Sequence, residues 1–158
     1  MNTHQKGFSL IELLIVVVII GIIAAIAIPN LLASRRAANE ASAVGSLRTI
    51  TGTQATYKAG NPTFATLLEL NSAGLIDEVL GCATQPCLKS GYLYSAIPMA
   101  ALPGFHWDGR ANPQVPTGLG STGTRFFYTN ESVVIYSNIG SQVVVNGTRD
   151  ITTGIPIE

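Results

Sequence analysis

Residues 13–28, LLIVVVIIGIIAAIAI, form an unbroken apolar run without a charge or a strong hydrogen-bonding side chain. As a helix, the stretch Phe8 to Ile28 spans about 32 Å at roughly 1.5 Å per residue, enough for a hydrocarbon core of about 30 Å. Beyond Pro29 the pattern changes. In NLLASRRAANEASAVGSLRTITGTQATYKAG, Ala37, Ala41, Val44, Leu47 and Ile50 recur at spacings of three and four, which predicts an amphipathic continuation of the helix to about Tyr57. Gly60, Asn61 and Pro62 then supply a stop. A short helix is predicted over Phe64, Leu67, Leu68 and Leu70, ending near Gly74. Strand signals follow: GYLYSAI at 91–97, TRFFYTNESVVIYS as a hairpin turning near Asn130, and SQVVVNGTRDIT with Asn146-Gly147 as a tight turn. This order predicts an α+β chain, with a long N-terminal helix packed on an antiparallel sheet of about four strands. Residues 98–123, rich in proline and glycine, read as an exposed loop and a contact surface.

Composition sharpens this division. The chain is 47% apolar and 11% charged, and the excess sits in the N-terminal run, so the sequence reads as an anchor plus a head. Nine basic and nine acidic side chains cancel, which removes any bulk electrostatic pull toward nucleic acid or acidic membranes. Lys6 before the run and Arg35 and Arg36 after it leave the orientation undecided by charge counting. Glu12 is the anomaly, because a carboxylate in hydrocarbon costs at least about 2.5–3.5 kcal/mol and calls for a partner. A secretory signal peptide is one reading, with Ala25-Ile26-Ala27 as its cleavage site. A plain single-span anchor is a second, but it leaves Glu12 unpaired.

A third reading rests on the stretch Lys6-Gly7-Phe8-Ser9-Leu10-Ile11-Glu12, the apolar run containing Gly21, and Ala27-Ile28-Pro29. Together these resemble the class III signal of type IV pilins and type II secretion pseudopilins. The resemblance is specific over Lys6 to Pro29 and architectural beyond it. It implies the pilin-like fold, with a leader at 1–7, a transmembrane and polymerisation helix at 8–29 and a head at 30–158 that includes the amphipathic half-helix, 30–58. It also implies that a prepilin peptidase cuts between Gly7 and Phe8 and N-methylates Phe8. The new amine would lie one helical turn from Glu12, and in the family this pairing is drawn between neighbouring subunits. Two groups costly alone in an apolar interior are less costly together. Gly21 and Pro29 fit a helix meant to bend or lose helicity locally, although both are also common in ordinary membrane helices.

The implied partners are further copies of the chain in a helical filament, the peptidase, the inner membrane before assembly, and an assembly platform with a separate ATPase motor. The implied location is the inner membrane, head in the periplasm, and then an extracellular pilus. Within the same architecture a pseudopilin supporting protein export is the alternative. A minor pilin whose 98–123 loop contacts DNA or a surface is another, for which Arg35, Arg36, Arg48 and Lys58 offer phosphate contacts, though such residues more often face solvent or neighbouring subunits.

Cys82 and Cys87 in CATQPC follow the anchor, where a disulfide is the natural reading and two free thiols the bland one. Other chemistry finds little support. Gly118-Leu119-Gly120-Ser121-Thr122-Gly123 fits a dinucleotide-binding pattern, but a proline-rich loop precedes it and a β-rich stretch follows. His106, in Phe105-His106-Trp107-Asp108, is a single candidate base with no nucleophile elbow to serve, and a loop histidine beside aromatics is the simpler account. Zinc on Cys82, Cys87 and His106 lacks a fourth ligand. Asp150 and Glu158 do not make the carboxylate-rich C-terminal loop that calcium requires and that some similar pseudopilins carry. Asn130-Glu131-Ser132 and Asn146-Gly147-Thr148 fit the N-glycosylation pattern, but turn chemistry explains both asparagines. The expectation is a structural protein, not an enzyme, with no cofactor and no metal.

Overall fold

The computed structural model describes residues 7–102, 104–146 and 149–157; residues 1–6 of the expected leader 1–7, Gly147 and Thr148 of the expected turn and sequon, and Glu158 lie outside them. Helix α1 runs Leu10–Gly60 with Pro29 inside it. By its internal contacts the chain divides into Met1–Ser34 and Arg35–Glu158.

In the first unit the described chain is almost wholly helix, and its apolar side chains are exposed from Leu10 to Ile28. It passes the length and composition test for a membrane span, with a mean hydropathy of 3.2 over its best window. The expected loss of helicity between Gly21 and Pro29 is absent from this unassembled chain, which is helical throughout that stretch. An interior proline removes one backbone donor without requiring the helix to end.

In the second unit, α1 buries Ala43, Ser46, Leu47, Ile50, Thr51 and Gln54. The face expected from apolar spacing is therefore rotated: Ala37 and Ala41 are exposed, and only Leu47 and Ile50 of the predicted set are fully buried. Ser46, Thr51 and Gln54 complete the buried stripe, and the last two find the hydrogen-bond partners that burial demands. Thr51 Oγ1 donates to the Leu47 carbonyl at 2.8 Å. Gln54 donates to the Ala65 carbonyl at 2.6 Å and accepts from its amide at 3.0 Å. The helix stops where expected. Asn61 donates to the Tyr57 carbonyl at 2.9 Å, and Lys58 Nζ bonds the Pro62 carbonyl. Helix α2, Leu67–Ser72, opens on a capping box formed by Thr66 and Glu69.

The sheet has six strands, not about four: β1 Cys87–Lys89, β2 Tyr92–Pro98, β3 Trp107–Pro113, β4 Arg125–Asn130, β5 Ile135–Ile139 and β6 Ile155–Ile157. All neighbours pair antiparallel in chain order. The two edge strands have three residues each, too short to leave a sequence pattern. Strand β3 corrects the reading of 98–123 as loop throughout. Its Asp108, Gly109, Asn112 and Pro113 are poor strand formers, yet it lies between β2 and β4 with Trp107, Gly109, Ala111 and Pro113 buried in alternation. Gly109 permits this, since a Cβ there would meet the Trp107 ring at 2.6 Å and Thr129 Cγ2 at 2.8 Å. Between β5 and β6 the described residues make one isolated bridge, Val145 with Ile151, where strands were expected.

The inner sheet face carries Tyr92, Tyr94, Ala96, Trp107, Ala111 and Phe127 against Leu47 and Ile50 of α1 and Leu67 and Leu70 of α2. Phe64 packs at 6.2 Å from Trp107, ring centre to ring centre, and Tyr92 at 5.8 Å from Phe127. The outer face carries Ser95, Arg110, Tyr128 and Tyr136 in one cross-strand row.

Candidate functional site

Gly7, Phe8 and Ser9 precede the first turn of α1, and Phe8 is 81% exposed. The Ser9 amide donates to Glu12 Oε2 at 2.9 Å. Glu12 therefore closes half of a capping box, in which the carboxylate three residues into a helix satisfies an N-terminal amide that the helix leaves without a partner. The signal, Ser9-x-x-Glu12, is in the sequence but hidden by its setting beside a membrane-length run. An ionised carboxylate has acceptor capacity on both oxygens, and among the described residues Oε1 has no donor, so it can take a second one. The same end of the helix carries partial positive charge, which favours a carboxylate there.

In the head, Cys82 and Cys87 form a disulfide with Cα atoms 5.6 Å apart, which removes both from any zinc site. The loop it closes is fixed to the sheet by Gln85. Its side chain accepts from the Ala96 amide at 2.8 Å and donates to the Ala96 carbonyl at 3.3 Å. It extends the ladder on β2 past the end of β1, as a further strand residue would.

A polar cluster that sequence reasoning missed joins the 99–108 turn to the C-terminal segment. Arg149 Nη2 lies 2.9 Å from Glu131 Oε2 and 3.2 Å from Asp108 Oδ1 and bonds the Trp107 carbonyl at 3.3 Å. His106 Nδ1 is 2.7 Å from Glu131 Oε1, and the Tyr128 hydroxyl donates to Asp108 Oδ1 at 2.7 Å. Burial works against the Glu131 carboxylate, but its own backbone amide, His106 and Arg149 together hold its pKa below the ordinary value of 4.5. Burial and the bond to Asp108 push the Tyr128 hydroxyl up. No linear spacing links residues 106, 108, 131 and 149: the register of β3 against β4 sets Asp108 opposite Asn130, beside Glu131, and the segment before β6 brings in Arg149. His106 is thus a member of a hydrogen-bonded cluster with Glu131.

The 114–124 loop is tied to α1. Asn39 donates to the Thr122 carbonyl at 2.8 Å, and Glu40 accepts from the Thr124 amide at 2.9 Å and lies 3.7 Å from Arg125. The glycine-rich stretch within it precedes β4, not a helix, so it has no dinucleotide-binding geometry. Among the described residues no group of three or more histidine, cysteine or acidic side chains is placed to hold a metal.

Residues 2–28 match the model of the prokaryotic N-terminal methylation motif. With the apolar helix and the antiparallel sheet, that match and the relatives below support the family of type IV pilins and type II secretion pseudopilins for this chain. It is similar to the type IV wide pilus major component PilA4 of Thermus thermophilus, with 43% identity over 93 residues, 59% of this chain and 66% of that one. It is 34% identical over 63 residues to the type II secretion system core protein G of Klebsiella pneumoniae, 40% of this chain and 45% of that one. To the type IV major fimbrial protein FimA of Dichelobacter nodosus it is 54% identical over 52 residues, 31% of this chain and 33% of that one. The chain thus spans less than two thirds of the length of each of these relatives. No solved structure matches it.

Proposed function

We propose that the protein is a structural subunit of a type IV pilus, cleaved between Gly7 and Phe8, N-methylated on Phe8, and polymerised through its apolar helix. The observation that carries this reading is Glu12, the single ionisable side chain between Phe8 and Ser34. An isolated helix anchor has no use for a buried carboxylate, whereas a filament has one in the terminal amine of a neighbouring copy. The bond from Ser9 keeps Glu12 satisfied in the unassembled chain, and its second oxygen accepts the incoming amine. Removing either charge strands the other in an apolar interior, which is costly. Gly21 and Pro29 supply the points where α1 yields on packing. Assembly draws its energy from a separate ATPase at the membrane platform. The leader 1–7, the helix 8–29 and the head 30–158 are the functional divisions.

Substituting Glu12→Leu tests this directly. The variant inserts into the membrane at least as well as the parent, because a charge is gone, but surface filaments fall below detection by shearing. Filaments at parental abundance would remove the assembly role of Glu12. A pseudopilin of a type II secretion system is the second reading, favoured by the similarity to core protein G. In that case the processed chain stays with the membrane fraction and its loss blocks secretion of folded proteins.

A further inference from the structure

The outer face of the sheet holds a groove of about 400 Å3, within the range of roughly 300–1,000 Å3 usual for small-ligand sites. Its floor is a ladder on β3, Asp108, Arg110 and Asn112, whose alternate side chains stand about 6.6 Å apart at roughly 3.3 Å per residue. Ser95 lies directly opposite Arg110 on β2. The disulfide loop forms one wall, held in place by the bonds of Gln85 to Ala96, and Gln142 forms the other.

The polar groups are positioned but not saturated. Arg110 donates to Gln142 Oε1 at 2.9 Å and rests over the Tyr128 ring at 5.9 Å, which uses one of its five N–H donors. Asp108 Oδ1 is engaged by Tyr128 and Arg149, and Oδ2 has no donor among the described residues. The Asn112 amide and the Ser95 hydroxyl have no hydrogen-bond partner among the described residues. Donors and acceptors thus alternate along one face, held by the sheet and by the Arg149 cluster behind it.

We propose that this groove binds a neutral glycan. Forked, planar groups such as carboxylate, guanidinium and amide can each hold two adjacent hydroxyls at once. One acid and one base line the groove, so it presents no net charge to attract phosphate or polyanion. No aromatic ring lines it for bases to stack on. A peptide strand cannot add to it, because it lies on a sheet face and not along an edge. Ile97, 57% exposed, and Pro86 give an apolar strip for the C–H face of a sugar ring. The inference concerns the head alone and does not depend on filament assembly.

The test is an NMR titration of the full chain, isotope-labelled and solubilised in detergent, with cellotetraose, maltotetraose and chitotetraose in turn. The expected result is that one of the three saturably shifts the side-chain amide signals of Asn112, Gln142 and Gln85 and leaves the 114–124 loop still. Asn112→Ala weakens that binding about tenfold, Ser95→Trp abolishes it by filling the groove, and Leu119→Ala has no effect. Gln142 is exposed, so Gln142→Ala keeps the fold and weakens binding too. Absence of saturable shifts with all three sugars overturns the proposal. So does binding that survives in both Asn112→Ala and Gln142→Ala, or preferential binding of polygalacturonate or single-stranded DNA at the same signals.

Discussion

At Gly123 an added Cβ would lie 2.0 Å from the Tyr92 hydroxyl oxygen and 2.7 Å from Cζ. Tyr92 is fully buried and donates to the Arg125 carbonyl at 3.0 Å, so its ring has nowhere to move. Gly123→Ala should therefore destabilise the head by about 1–3 kcal/mol, read from denaturant unfolding. Glu131 supplies a pH test. Its folded pKa lies below the ordinary 4.5, so the folded state binds fewer protons than the unfolded one in that range. The stability it contributes is complete above 4.5 and is lost as pH falls through the lower folded value. Asp77, its pKa lowered chiefly by the bond from Lys89 and also by the Leu80 amide, adds in the same direction. Arg149→Gln should flatten the fall in stability below pH 4.5 without abolishing it, because Asp77 remains; an unchanged acid limb would remove the clamp role of Arg149. Neither Gly123 nor Arg149 could be singled out from the sequence. The first depends on a ring 31 residues away in the chain and the second on strand register.

Among the elements, the long helix, its stop at Gly60, α2 and the β4–β5 hairpin were legible, because apolar spacing and turn residues agree there. The buried face of α1 was not, since spacing arguments count apolar residues and this stripe includes Ser46, Thr51 and Gln54. Strand β3 was obscured for the opposite reason. Its composition argues for a loop, and it forms because β2 and β4 pair with it on both sides and Gly109 admits the Trp107 ring. Gln54→Ala tests the first point. It leaves the buried amide and carbonyl of Ala65 without partners, at a cost of about 1–3 kcal/mol for each group left unsatisfied. A loss below about 0.5 kcal/mol, the range of ordinary surface substitutions, would contradict the proposed pinning of the post-helix segment. Removing the disulfide with Cys82→Ser and Cys87→Ser should cost about 2 kcal/mol, the loop being very short. The damage should be confined to the Gln85 wall and visible as loss of hydrogen-exchange protection at Ala96.

For the whole molecule, two physical regimes share one chain. The N-terminal helix has side chains suited to lipid or to other helices, while the head has its own core. The N-terminal methylation motif was legible because local spacing carries it: Gly7, then Phe8, and a carboxylate one turn later at Glu12. The clamp and the groove of the head were not, because both are assembled by sheet pairing from residues scattered between Gln85 and Arg149. The central claim is that Glu12 meets an amine that exists only after processing, and the most direct measurement is an intact mass of the protein in filaments sheared from the cell surface. The account predicts an abundant species that begins at N-methylated Phe8 and carries an oxidised Cys82–Cys87 pair. A chain in that material beginning at Met1, or a cell-associated chain beginning at Ile28, would contradict it.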